Sequence, residues 1–415
     1  MLRILPLALV AQFAALAQKQ YELEPINYVS SEAIDPISEY FLDTANTREW
    51  IKDERTGYLN AFLEAFEIPI ESQVLVFSKT SLQGDIIGPR NPRALYFNEE
   101  IYVGWVPGGS VLEISVASPT TGTNFYTIDN NSSRPQLLRE THDCLRCHGG
   151  SFTRDIPGHL VRSVFPADSG QPIYKAGTQV LDQTTPIDER WGGYLVTGSS
   201  SQHRGNKLFK ESDTGAGFAS NYRFEDVPDN GYIGESSDVV ALLILEHQAQ
   251  AHNLIANVAL QTRRAFHDQK TMDKLLQRTE PISDSTRRRI KQASDKLLEY
   301  LFFKNEAELT KLELSTSAFA RAFQEGAIKD KRGRSLRDLK MDGSMFRFPL
   351  SYLIYSHSFN ALPSEALDYL WSEIDRILKS EDGEKGYEHL SRRDKRNIQI
   401  ILRETHPTYT SESDP

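Results

Sequence analysis

Cysteine occurs only twice in this chain of 415 residues, at Cys144 and Cys147, and His148 follows the second directly. Two thiols and an imidazole therefore fall within one five-residue window, Cys144-Leu145-Arg146-Cys147-His148. Three chemistries use such a group. Thiols at this spacing add across the two vinyl groups of one porphyrin while the next histidine reaches the iron from under the ring, the attachment pattern of c-type haem. A Cys-x-x-Cys pair at a helix start also serves thiol exchange, but in a βαβ context that the flanking sequence lacks. Half of a zinc site is the third, and it needs two more ligands in a chain with no further cysteine. A structural disulfide here would close too short a loop to stabilise a large domain. The spacing favours a single, covalently attached haem c with His148 as proximal ligand.

An iron held by His148 has a second axial position, and its occupant separates outer-sphere electron transfer from reaction with peroxide, oxygen or another small ligand. His203, in a polar Gly/Ser-rich stretch, and His159, eleven residues past His148, are the distal candidates. Of the methionines beyond Met1, namely Met272, Met341 and Met345, only Met345 in "GSMFRFP" has a credible reach. His142 stands too near Cys144 to cross the ring. His247 and His252 are five residues apart in a helical stretch, about 140° around the axis, so they cannot chelate one metal. Arg162 and Arg190 are candidate propionate partners, with Arg90 and Arg93 upstream, and Tyr102, Trp105, Phe152, Phe165, Trp191 and Tyr194 are candidate apolar cover.

These residues need elements to hold them. Residues 1–17 have an early arginine, an apolar run and a closing Ala15-Leu16-Ala17, the pattern of a secretory signal peptide cut after Ala17. Residues 18–70 carry three- and four-residue apolar spacing and are expected to be helical. Residues 71–200 hold "SQVLVFS", "RALYFNEEIYVGWVP", "VLEISVAS" and "TNFYTIDN", then strand-like "GHLVRSVFP" and "WGGYLVTG", and form the β-rich haem c region. Residues 201–236, rich in Ser, Gly, Asn and Asp, are expected to link this region to a helical domain over 237–412. That domain opens with a long buried helix capped at Ser237 or Asp238 and includes a helix at "FPLSYLIYSHSFNAL". The fold class is α+β, with a β-rich N-terminal half carrying the c-type haem site and a helical C-terminal half.

The net charge of −10 argues against nucleic acid as a partner. Beyond the N-terminus no apolar run is long enough to span a membrane, so the mature chain is expected to be exported, periplasmic and free of a membrane span.

The segments "LVFSKTSLQGDIIGPRNPRALYFNEEIYVGWVPGG", "CLRCHGG", "PGHLVRSVFP", "ERWGGYLVTG", "ALLILEHQAQAHNLI" and "YLIYSHSFNALP" together resemble large exported single-haem cytochrome c domain proteins of planctomycete-type bacteria. The resemblance implies one haem c and a redox role, without a known substrate. Where that family tends to carry His-Met-Gly-Asn, this chain has His203-Arg204-Gly205-Asn206, which keeps the histidine and lacks the methionine. The expected function is electron transfer with a redox partner protein. An electron carrier needs only ~100 residues to wrap a haem. The extra length keeps two alternatives in view: a periplasmic haem enzyme with peroxidase-like or other small-molecule redox activity, and a haem-based sensor or scaffold.

Overall fold

The computed structural model describes residues 19–199, 202–309, 317–340, 343–381 and 383–409. Residues 1–17, expected to be a signal peptide, lie outside them. The chain is α+β, with the sheet in the N-terminal half and the long helices in the C-terminal half.

Between residues 19 and 70 only two α-helices form, α1 (Pro36–Leu42) and α2 (Leu59–Ala65), in place of the continuous helical segment expected. Side chains capture the backbone between them: Asp43 accepts from the Ala45 N–H, and Asn46 and Tyr40 exchange hydrogen bonds with each other's carbonyls. The next strands make a six-stranded antiparallel meander, β1 (Val74–Val76), β2 (Arg93–Phe97), β3 (Ile101–Trp105), β4 (Val111–Ser118), β5 (Gly122–Asp129) and β6 (Leu137–Arg139).

Period-two alternation gives this sheet two unlike faces. One face carries Ala94, Tyr96, Val103, Trp105, Leu112, Ile114, Tyr126 and Ile128, all buried against α1 and α2. Each such fully buried large side chain contributes roughly 1.5–3 kcal/mol. The other face carries Arg93, Leu95, Glu113 and Ser115, which stay only half-buried. Gly104 sits between Leu95 and Glu113 in register. Without a side chain there, the Arg93 guanidinium reaches Glu113 Oε2 at 2.9 Å.

A single-turn helix α3 (Leu145–His148) follows, and then loops pinned by the two-residue strands β7 (Arg162–Ser163) and β8 (Gln179–Val180). "WGGYLVTG" does not form a strand. Trp191 and Gly193 both have positive φ (66° and 94°), which breaks extended pairing and leaves two isolated bridges, Val76 to Tyr194 and Thr197 to Asp238. The expected linker contains a hairpin, β9 (Lys207–Ser212) and β10 (Gly215–Asn221), whose Leu208 and Phe209 are buried. Its polar composition hid this adjacent apolar pair, which anchors it.

The C-terminal half comprises α4 (Val239–Leu276), α5 (Asp284–Leu301), α6 (Ala318–Glu325), α7 (His357–Asn360), α8 (Ser364–Lys379) and α9 (Arg392–Thr405). Asp238 caps α4, accepting from the Val240 and Ala241 N–H groups. "FPLSYLIYSHSFNAL" is not one helix: Ser351 and Ser356 each cap a short turn, leaving a 3-10 turn at Tyr352–Tyr355 and the four-residue α7. One core joins the two halves, since Val74, Val76, Phe97, Tyr102, Trp191 and Tyr194 share it with α4 and the later helices. No described helix is long and apolar enough to cross a membrane.

Candidate functional site

The turn of α3 places Cys144, Cys147 and His148 at positions i, i+3 and i+4, neighbours on one helical face. Leu145 anchors the turn, buried among Tyr21, Ile26, Tyr28, Phe125, Ile156, Ala256 and Leu260. Both thiols are free, Cys144 half-buried and Cys147 exposed. Burial pushes the Cys144 thiol up to about 12, and Glu140, Glu113 and Asp143 act in the same direction. A thiol-exchange site needs the opposite, a thiolate stabilised by cations or a helix dipole.

His148 is held from behind. Its Nδ1 lies 2.9 Å from the Gly158 carbonyl oxygen, and the Gly158 N–H donates to the His148 carbonyl at the same distance. Thr153 closes the intervening loop, its hydroxyl within bonding distance of the carbonyls of His148, Gly150 and Ile156. With Nδ1 as donor, the Nε2 lone pair points away from this loop. The ring lies 4.9 Å from Phe125. Burial lowers the His148 pKa to about 4, with Arg93 and Arg162 acting in the same direction and the bond to Gly158 opposing, so the imidazole is neutral over the ordinary pH range. It nevertheless keeps accessible surface. Arg93 and Glu113, from the half-buried face of the sheet, lie within electrostatic reach of it.

The sequence candidates divide. Arg162 lies over Phe152 at 5.4 Å, adds positive charge at His148 and has no carboxylate partner among the described residues, so it fits a propionate. Arg190 does not. It is fully buried, with NH1 on Glu246 at 2.8 Å, Nε on the Thr185 carbonyl at 2.7 Å and NH2 on the Gln183 carbonyl at 3.1 Å. Its charge is already spent on the core.

The described contacts of His159 are to the sheet and to α4. Its own peptide N–H adjoins the Gly158 carbonyl behind His148, and its backbone is clamped from both sides by Asn253. Its ring sits 4.4 Å from Tyr102 and 5.7 Å from His252. Its Nδ1 lies 3.3 Å from Ser115 Oγ, and its Nε2 is buried with no hydrogen-bond partner among the described residues.

His203 is buried edge-on against Trp191 at 5.1 Å rather than in an exposed loop, and no contact brings it to His148. Met345 is buried in the helical core. His142 is exposed. His247 bonds Gln183 and Ser351, and His252 bonds the Glu99 carbonyl and Ser358, so both are satisfied core residues. Trp105 lies on the opposite face of the sheet, against Tyr232, and gives the site no cover.

Phe125, Gly158, Glu113 and Asn253 were not singled out by sequence. Pro157-Gly158 is a turn pair, and Asn253 is a polar residue inside an apolar helix, but neither signal names His148 as its target. Among the described residues no three His, Cys, Asp or Glu side chains converge to hold a metal ion, which leaves a zinc half-site without its remaining ligands. A haem needs less from the chain: two thiols, one imidazole with a free Nε2, a cation and aromatic cover. The residues here fit that set. The chain matches no family model, no curated protein and no solved structure.

Proposed function

We propose that this chain is an exported haem c protein taking part in electron transfer, with one haem attached through Cys144 and Cys147 and His148 as the proximal iron ligand. The observation that carries the proposal is the Cys-x-x-Cys-His turn whose histidine already has Nδ1 tied to a backbone carbonyl, the arrangement that orients a metal-ligating imidazole and raises its basicity. The haem would supply one-electron chemistry. The chain's own residues do the rest: the thiols tether, Phe125 covers the imidazole, and Arg162 offers positive charge to the propionates. Cys147 is exposed. That exposure supports electron exchange with a redox partner protein.

A second function is favoured by one observation. The His159 backbone is clamped by Asn253 and Met345 is buried in the helical core, which supports a sixth position filled by neither. An open or displaceable sixth position suits a periplasmic haem enzyme acting on peroxide or another small molecule.

Expression of the full chain with a haem c maturation system, followed by the pyridine haemochrome spectrum, tests the proposal. A covalent haem c signal lost in Cys144→Ala/Cys147→Ala is the expected result, and its absence from the parent chain overturns both functions. Low-spin spectra in both oxidation states then select the carrier, and a high-spin ferric form that reacts with peroxide selects the enzyme.

A further inference from the structure

Helix α4 reaches the proximal histidine through one peptide group. The Gly158 carbonyl that accepts from His148 Nδ1 and the His159 N–H belong to the same amide. That N–H donates to Asn253 Oδ1 at 2.8 Å, and Asn253 Nδ2 returns to the His159 carbonyl at 2.8 Å. Asn253 is 8% exposed, so both bonds form largely out of water. The approach is close enough that a Cβ at residue 158 would lie 2.4 Å from Asn253 Oδ1, which is why this position is glycine. Seven residues earlier, two turns and ~10.5 Å along the same face of α4, Glu246 holds Arg190 and Trp191. The helical half thus grips the site's loops at two levels, and Asn253 is the one that connects to the peptide bonded by His148.

We infer that Asn253 is a positioning residue for the proximal histidine, setting the strength of the His148 hydrogen bond through the Gly158–His159 peptide. This rests on the proposed haem c function. An amide whose N–H is engaged has a more polarised carbonyl, and so a stronger acceptor for the proton on Nδ1. A stronger bond at Nδ1 gives the imidazole more anionic character and favours ferric iron. Asn253 therefore holds the reduction potential down, and it gives the C-terminal half a role in the redox chemistry.

The test compares Asn253→Ala with Asn253→Asp in the full chain carrying haem c. The alanine variant is expected to retain covalent haem and to show a midpoint potential more positive than the parent's. The aspartate variant keeps the Oδ1 acceptor and is expected at or below the parent value. Equal potentials in parent and alanine variants, or shifts of the same sign in both variants, overturn the inference. A second readout uses the full chain expressed without haem maturation, where the NMR resonance of the His148 Nδ1 proton reports the same bond. It should move upfield in Asn253→Ala and hold its position in Asn253→Asp, and an unmoved resonance in the alanine variant also overturns the inference. If the parent chain acquires no haem c, the proposed function fails while this resonance still decides whether Asn253 tunes His148.

Discussion

Arg190 distinguishes a residue that holds the fold from one that holds a cofactor, and its replacement yields a quantitative expectation. Its guanidinium and the Glu246 carboxylate are both fully buried, 2.8 Å apart, with Trp191 Nε1 donating to the same carboxylate. Arg190→Met keeps most of the side-chain length while leaving Glu246 without its cation and two carbonyls, of Thr185 and Gln183, without their donors. Breaking one side of a buried pair costs about 3–5 kcal/mol. At roughly 2.1 cal/mol/K per residue, a chain of 415 residues has an unfolding entropy of about 0.9 kcal/mol/K, so the Tm should fall by about 3–6 °C. The double variant Arg190→Met/Glu246→Gln removes both charges and keeps an acceptor for Trp191, so it should lose less than Arg190→Met alone. Calorimetry on the full chain measures both, with haem content read from the haemochrome spectrum. An unchanged Tm together with weakened haem retention in Arg190→Met would refute the assignment of Arg190 to the core and return it to the propionates.

Arg162→Ala should do the reverse, shifting the haem spectrum or potential while costing at most about 1 kcal/mol of stability, because its only contact described is the cation–π approach to Phe152. An unfolding midpoint lowered as far as in Arg190→Met would contradict that role. Acid should destabilise the fold through its buried histidines. Burial lowers the pKa of His203 to about 4, of His247 to about 3 and of His159 well below its ordinary value. Each stays neutral in the fold while the unfolded chain protonates near pH 6.5. Stability is therefore full above pH 6.5 and falls toward pH 4 by up to about 1.4 kcal/mol per pH unit for each histidine. Urea midpoints that stay constant between pH 7 and pH 4.5 would contradict this accounting. His203→Ala should lower stability by opening space beside Trp191 and leave the iron's spin state unchanged; a low-spin form that turns high-spin in the variant would reinstate His203 as the distal ligand.

The Cys-x-x-Cys-His turn was legible in the chain because its geometry is local: thiols and imidazole at i, i+3 and i+4 need one helical turn and nothing distant. The strands from Val74 to Asp129 and the Asp238-capped start of α4 were legible for the same reason, since alternation, turn residues and caps act within a few positions. The helices expected across residues 18–70 and at "FPLSYLIYSHSFNAL" were not all realised. Asp43, Asn46, Ser351 and Ser356 offered the backbone side-chain partners that apolar spacing does not register. Only the tertiary structure decided the rest of the site. It committed Arg190 to Glu246, set the His159 ring against Tyr102, and joined Asn253, more than a hundred residues beyond Cys144, to the peptide that bonds His148. Those outcomes depend on which buried polar groups meet across the sheet and α4, where each must find a partner at its own desolvated position, and no spacing along the chain encodes that pairing.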